Sequence, residues 1–78
     1  SKNIKLINVY VQNGNPIGFE IKRTTSPKIT SSMKSSMKDL ILKKLFVIHA
    51  GEHEFKLHEN ITAFPMKNIQ SIFDAVNS

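Results

Sequence analysis

Ile4 to Gln12 is dense in β-forming residues (Ile4, Leu6, Ile7, Val9, Tyr10, Val11) and ends at Asn13-Gly14-Asn15, a turn-forming cluster. Pro16 to Arg23 resumes an apolar alternation through Ile17, Phe19 and Ile21, so the two segments predict a β-hairpin. A two-residue Asn13-Gly14 turn would pair Tyr10 with Ile17 and Asn8 with Phe19, mixing polar and apolar side chains on both faces. A three-residue loop over Asn13 to Asn15 instead pairs Val11 with Ile17, Val9 with Phe19 and Ile7 with Ile21. One face is then wholly apolar, and the other carries Leu6, Asn8 and Tyr10 opposite Lys22, Glu20 and Gly18. The second register is expected, because gathering the large apolar side chains on one face outweighs the preference of a turn dipeptide. It sets Asn8 directly opposite Glu20.

Thr24 to Thr30 reads as a polar loop containing Pro27, and a helix is expected to begin near Thr30 or Ser31, where a hydroxyl can cap free backbone N–H groups. Met33, Met37, Leu40, Ile41 and Lys44 recur at helical spacing. Leu45 to His49 is a continuous apolar run of the kind that forms a central strand buried on both faces. Gly51-Glu52 turns the chain, Glu54 to Leu57 alternates as an outer strand, and Glu59-Asn60 turns it again before Ile61 to Phe64. Pro65 then opens a last helix with Ile69, Ile72, Phe73 and Val76 on one face. The predicted order is ββαβββα, a small mixed α/β sheet in a single domain without internal repeat.

Composition narrows this picture. Seventy-eight residues allow one small domain, and with no cysteine neither a disulfide nor a thiolate metal site can staple it. A hydrophobic content of 40% is enough for a folded core. No apolar run approaches the roughly 18 residues that span a membrane, and the N-terminal stretch lacks a secretion signal, so a cytoplasmic protein without membrane partners is expected. The net charge of +5 is unevenly placed. Through Lys44 there are nine basic and two acidic residues, and from Leu45 onward two basic and four acidic. Any anion-binding surface is therefore expected in the first half.

Glu20-Ile21-Lys22 carries the candidate chemistry. Residues two apart on a strand project from the same face, so Glu20 and Lys22 are expected side by side while Ile21 enters the core. An acid and a lysine so placed, with a second metal-binding side chain on the neighbouring strand, suit metal-assisted phosphodiester hydrolysis. Carboxylates hold Mg²⁺, the ion polarises phosphate and water, and lysine offsets charge on the attacked group. The same tripeptide also fits a solvent-facing ion pair on a half-buried strand.

Val9-Tyr10-Val11-Gln12 through Gly18-Phe19-Glu20-Ile21-Lys22 resembles the paired strands of the PD-(D/E)xK restriction-endonuclease-like superfamily. Leu45 to Glu52 followed by Ile61-Thr62-Ala63-Phe64-Pro65-Met66 resembles the uncharacterised C-terminal domain of prokaryotic AAA+-type ATPases, which follows a P-loop module. The resemblance covers roughly Leu6 to Phe73. It implies a restriction-endonuclease-like fold that is either truncated at its N-terminus or abbreviated, since the family's first helix and strand are not visible before Ile4. It further implies Glu20 as metal-binding acid, Lys22 as catalytic lysine, and Asn8 where the family's first Asp stands. A neutral amide offers one carbonyl oxygen and no charge, so Mg²⁺ would be held weakly and mainly by Glu20. ATP would bind only through a domain outside this chain.

Lys28, Lys34 and Lys38 could add to the site or, with Lys22 and Arg23, form a basic patch that binds DNA in a salt-dependent, sequence-independent manner. Each also reads as an ordinary solvated side chain. His49, His53 and His58 match no zinc spacing and are expected as capping or surface residues. Three functions are thus in view. One is an accessory nuclease-like domain, with a degenerate or weak site, partnered by its own ATPase domain. The others are a protein-interaction or homo-oligomerisation module using exposed sheet edges, and a non-catalytic nucleic-acid binder.

Overall fold

The computed structural model describes residues 7–76. It contains strands β1 (Ile7–Gln12), β2 (Asn15–Ile21), β3 (Lys44–His49), β4 (Phe55–His58) and β5 (Ile61–Pro65) and helices α1 (Ser31–Asp39) and α2 (Ile69–Val76). A 3₁₀ turn, Met66–Asn68, leads into α2. The expected strand residues Ile4 and Leu6 lie outside the described residues, as does the side chain of Val76.

The five strands form one mixed sheet in the order β1-β2-β3-β5-β4. β2, β3 and β5 run parallel, and β1 and β4 flank them antiparallel at the two edges. Met33 of α1 packs with Leu42, Leu45, Val47 and Ile61 on one face. Ile72 of α2 packs with Ile17, Phe19, Ile48 and Phe64 on the other. The parallel centre is therefore covered on both sides, as parallel sheets generally are, and every residue of β5 is buried.

This double cover explains a departure from the expected hairpin. β1 and β2 are joined by a two-residue turn, with Gln12 paired to Asn15, Tyr10 to Ile17, Asn8 to Phe19 and Ile7 to Glu20. Asn13 and Gly14 both have positive φ, 51° and 80°, the backbone that lets a two-residue turn follow the right-handed twist of its strands. Sorting polar from apolar residues between faces presumes that one face meets water. Ile17, Gly18, Phe19 and Glu20 are all buried, so β2 has no wet face to be sorted against. Val9, Val11 and Ile21, expected in the core, are left 46%, 61% and 62% exposed.

α1 starts where the hydroxyl signal places it. Thr30 is the N-cap, its Oγ1 accepting from the Met33 N–H at 3.1 Å. The helix is shorter than its apolar stripe suggests. The Leu42 N–H donates to the Met37 carbonyl at 2.9 Å and the Ile41 N–H to the Lys38 carbonyl at 3.2 Å, the paired bonds of a Schellman stop. Ile41 sits at φ 53°. Leu40 and Ile41 face solvent, Leu42 turns inward in their place, and Lys44 belongs to β3 rather than to the helix.

Candidate functional site at the carboxyl ends of the parallel strands

Period-two alternation along β2 sends Gly18 and Glu20 to the α1 face, with Lys22 following just past the strand's end. A Cβ on Gly18 would lie 2.6 Å from Leu42 Cδ1 and 3.2 Å from Leu45 Cδ1, which fixes that face by direct contact. Glu20 pairs with Val47 across β3 and is 2% exposed. Its Oε2 meets Lys22 Nζ at 3.1 Å, and the Lys22 backbone N–H donates to the Ile48 carbonyl at 2.8 Å. The lysine side chain remains 38% exposed. The ion pair therefore joins the core to the surface where β2 ends, at the edge that in open α/β sheets collects ligands.

His49 continues the same face of β3 one step beyond Val47, level with Lys22. Of the two expected roles, capping or surface, the surface one does not hold for His49, which is 1% exposed, and the capping one describes it. Its Nδ1 accepts the Gly51 N–H at 3.0 Å, and its ring lies 5.6 Å from that of Phe55. Accepting at Nδ1 places the proton of the neutral ring on Nε2, which is buried without a hydrogen-bond partner among the described residues. The sequence signal for its burial was its position at the end of an uninterrupted apolar strand. Gly51 has little freedom of replacement, since a Cβ there would lie 2.2 Å from the Thr25 carbonyl oxygen. His53 lies in the loop after β3, and His58 ends β4; both are exposed.

Asn8 does not join this group. It lies across from Phe19, on the α2 side, so it and Glu20 occupy opposite faces of the sheet. The residue across from Glu20 is Ile7. Among the described residues no group of three or more Asp, Glu, His or Cys side chains is placed to hold a metal ion. The donor set at Glu20 thus does not fit Mg²⁺, a hard cation that favours several oxygen ligands in near-octahedral geometry. The Glu20 carboxylate is already bonded to Lys22.

Of the basic residues, Lys34 and Lys38 on α1 line a shallow cleft of about 330 Å³ with Met37, His58, Glu59 and Ile61. Arg23 and Lys28 are exposed in the segment between β2 and α1. A second cleft, of about 440 Å³ and bordered by Lys44, Glu54, Lys56 and Thr62, lies at the opposite end of the strands from Glu20. Lys44 Nζ there sits 5.1 Å from the centre of the Phe46 ring. Sequence reasoning placed no site at this cleft. On the loop after β3, Glu52 is bonded to Lys67, and this partner's hydrogen bond and charge hold the Glu52 carboxyl below its ordinary value. No helix among the described residues is long and apolar enough to cross a membrane.

The chain is similar to uncharacterised proteins of Mycobacterium bovis and Mycobacterium tuberculosis, each 44% identical over 64 residues. The similarity covers 81% of this chain and 14% of each relative, so the chain spans a small part of the length of these relatives. No family model and no solved structure matches it.

Proposed function

We propose that the chain is an accessory domain of restriction-endonuclease-like type whose metal-dependent phosphodiesterase site is degenerate, carried by a longer ATPase. The observation that carries this reading is the Glu20–Lys22 pair, held at 3.1 Å at the end of the strand that runs parallel to β3 and antiparallel to β1. An acid and a lysine stand where such chemistry needs them, yet the second acid is replaced on that face by Ile7. In this state Lys22 is neutralised by Glu20 instead of by a phosphate, and Glu20 is engaged by an ammonium instead of by a metal ion. The pair then serves mainly to satisfy a buried carboxylate, whose isolation would be costly. The attachment to an ATPase is supported by the resemblance of Leu45 to Glu52 and Ile61 to Met66 to the ATPase tail domain and by the greater length of the mycobacterial relatives.

Incubation with plasmid DNA in Mg²⁺ or Mn²⁺ tests the catalytic part. The degenerate site predicts no cleavage above that of Glu20→Ala and Lys22→Ala. Cleavage by the parent that both substitutions abolish would show a working nuclease. A full gene product without a phosphate-binding P-loop would remove the ATPase from the proposal.

A second reading, nucleic-acid binding without cleavage, is favoured by Lys34 and Lys38 of α1 lining one cleft. It predicts an affinity for DNA that falls steeply with salt and weakens in Lys34→Glu plus Lys38→Glu. Affinity that is flat in salt contradicts it.

A further inference from the structure

The two edges of the sheet are built differently. β4 is four residues long, carries Lys56 and is interrupted by a register shift between Lys56 and His58. Shortness, an edge lysine and a bulge are the devices that keep a strand from pairing with a foreign one. Among the described residues β1 shows none of them. It is six residues, Ile-Asn-Val-Tyr-Val-Gln, without charge or proline, and it pairs with β2 in unbroken register along its whole length. Val9 and Val11 are exposed on the α1 side of the sheet. On the α2 side β1 borders a groove of about 260 Å³ whose lining includes Tyr10, Phe19, Ile21, Ile48, Ile69 and Phe73 and no charged residue. Ile21 is 62% exposed and Phe73 42%.

We propose that β1 accepts an added β-strand supplied by the rest of a longer polypeptide. That strand sets apolar side chains over Val9 and Val11 and one large apolar side chain into the groove between Ile21 and Phe73. Backbone hydrogen bonds along the edge would supply affinity, and the groove would select the side chain. The occupant follows from size and tether. A six-residue edge is about 20 Å long, too little on its own to bury the roughly 1,200 Å² that holds separate molecules stably together. Two copies of a chain with net charge +5 would also repel. A segment of the same polypeptide needs no such area, because its tether holds it at an effective concentration of roughly millimolar or higher. The mycobacterial relatives have that length to give, since the matched part is 14% of each. The proposal does not depend on the nuclease-like reading.

Hydrogen exchange by mass spectrometry, run on the 78-residue chain and on the full gene product, tests it, with sedimentation of the short chain alongside. The expected result is fast exchange in the short chain of the alternate Ile7–Gln12 amides that face away from β2, at least tenfold slower exchange of those amides in the full product, and a monomeric short chain. Val11→Lys, at an exposed position, should leave the short chain folded and remove the added protection in the full product. Equal exchange in both proteins would overturn the proposal. So would a short chain that protects β1 by dimerising, which would make a second copy the occupant.

Discussion

Asn8 lies directly across from Phe19, while Glu20 lies across from Ile7 on the other face of the sheet. The amide and the carboxylate that the chain's alternation offers as partners are therefore separated by the thickness of the sheet. The cause is local. Asn13 and Gly14 turn the hairpin in two residues, and adding or removing one loop residue exchanges every side chain between faces.

The stop of α1 contains a residue in the wrong backbone for its type. Ile41 holds φ 53° at the Schellman position while 78% exposed, so its side chain gains little from burial and a β-branched residue bears the steric cost. Ile41→Gly should stabilise the fold by about 1 kcal/mol in urea denaturation. A destabilisation of that size would mean that Ile41 makes contacts the exposure conceals.

Gly51 is pinned between two elements, and the Ala50 N–H donates to the Thr24 carbonyl at 3.0 Å beside it. Gly51→Ala would drive a Cβ into backbone and crowd His49 Nδ1. The expected loss is about 2 kcal/mol or more, with loss of the Gly51–His49 hydrogen bond visible as a shift of the His49 ring resonances. An unchanged denaturation midpoint would contradict this packing.

The Glu52–Lys67 pair gives a pH prediction. Lys67 lowers the folded-state Glu52 value below 4.5, so the pair's contribution is present above the ordinary carboxylate range and is lost as pH falls through the lowered value. Both side chains are exposed, so Lys67→Ala should alter stability only slightly at pH 7. An NMR titration should find the Glu52 midpoint below 4.5 in the parent and closer to 4.5 in Lys67→Ala. Identical midpoints would show that the ion pair does not persist in solution.

The legible parts of the fold are those where a single local signal acts alone. Thr30 as a cap and Leu45 to His49 as a central strand needed only a hydroxyl before a helix and an unbroken apolar run. The side-by-side placement of Glu20 and Lys22 needed only period-two alternation. The hairpin register needed more, namely that α2 covers the second face, and α2 begins about 55 residues downstream of the turn. Leu40 and Ile41 kept helical spacing past the point where backbone geometry ends α1, so periodicity alone overran it. The end of an apolar strand and a capping role are legible for His49, while its full burial depends on Gly51 and Phe55 closing over it.

Moving a carboxylate between two adjacent positions tests the register and the degenerate site together. Mn²⁺ binding by calorimetry would compare Ile7→Asp, which sets an acid across from Glu20, with Asn8→Asp, which sets it on the α2 face; circular dichroism would verify that both fold. The account predicts that Ile7→Asp gains Mn²⁺ binding that a further Glu20→Ala removes, while Asn8→Asp binds no better than the parent. Binding gained by Asn8→Asp and absent from a folded Ile7→Asp would contradict it.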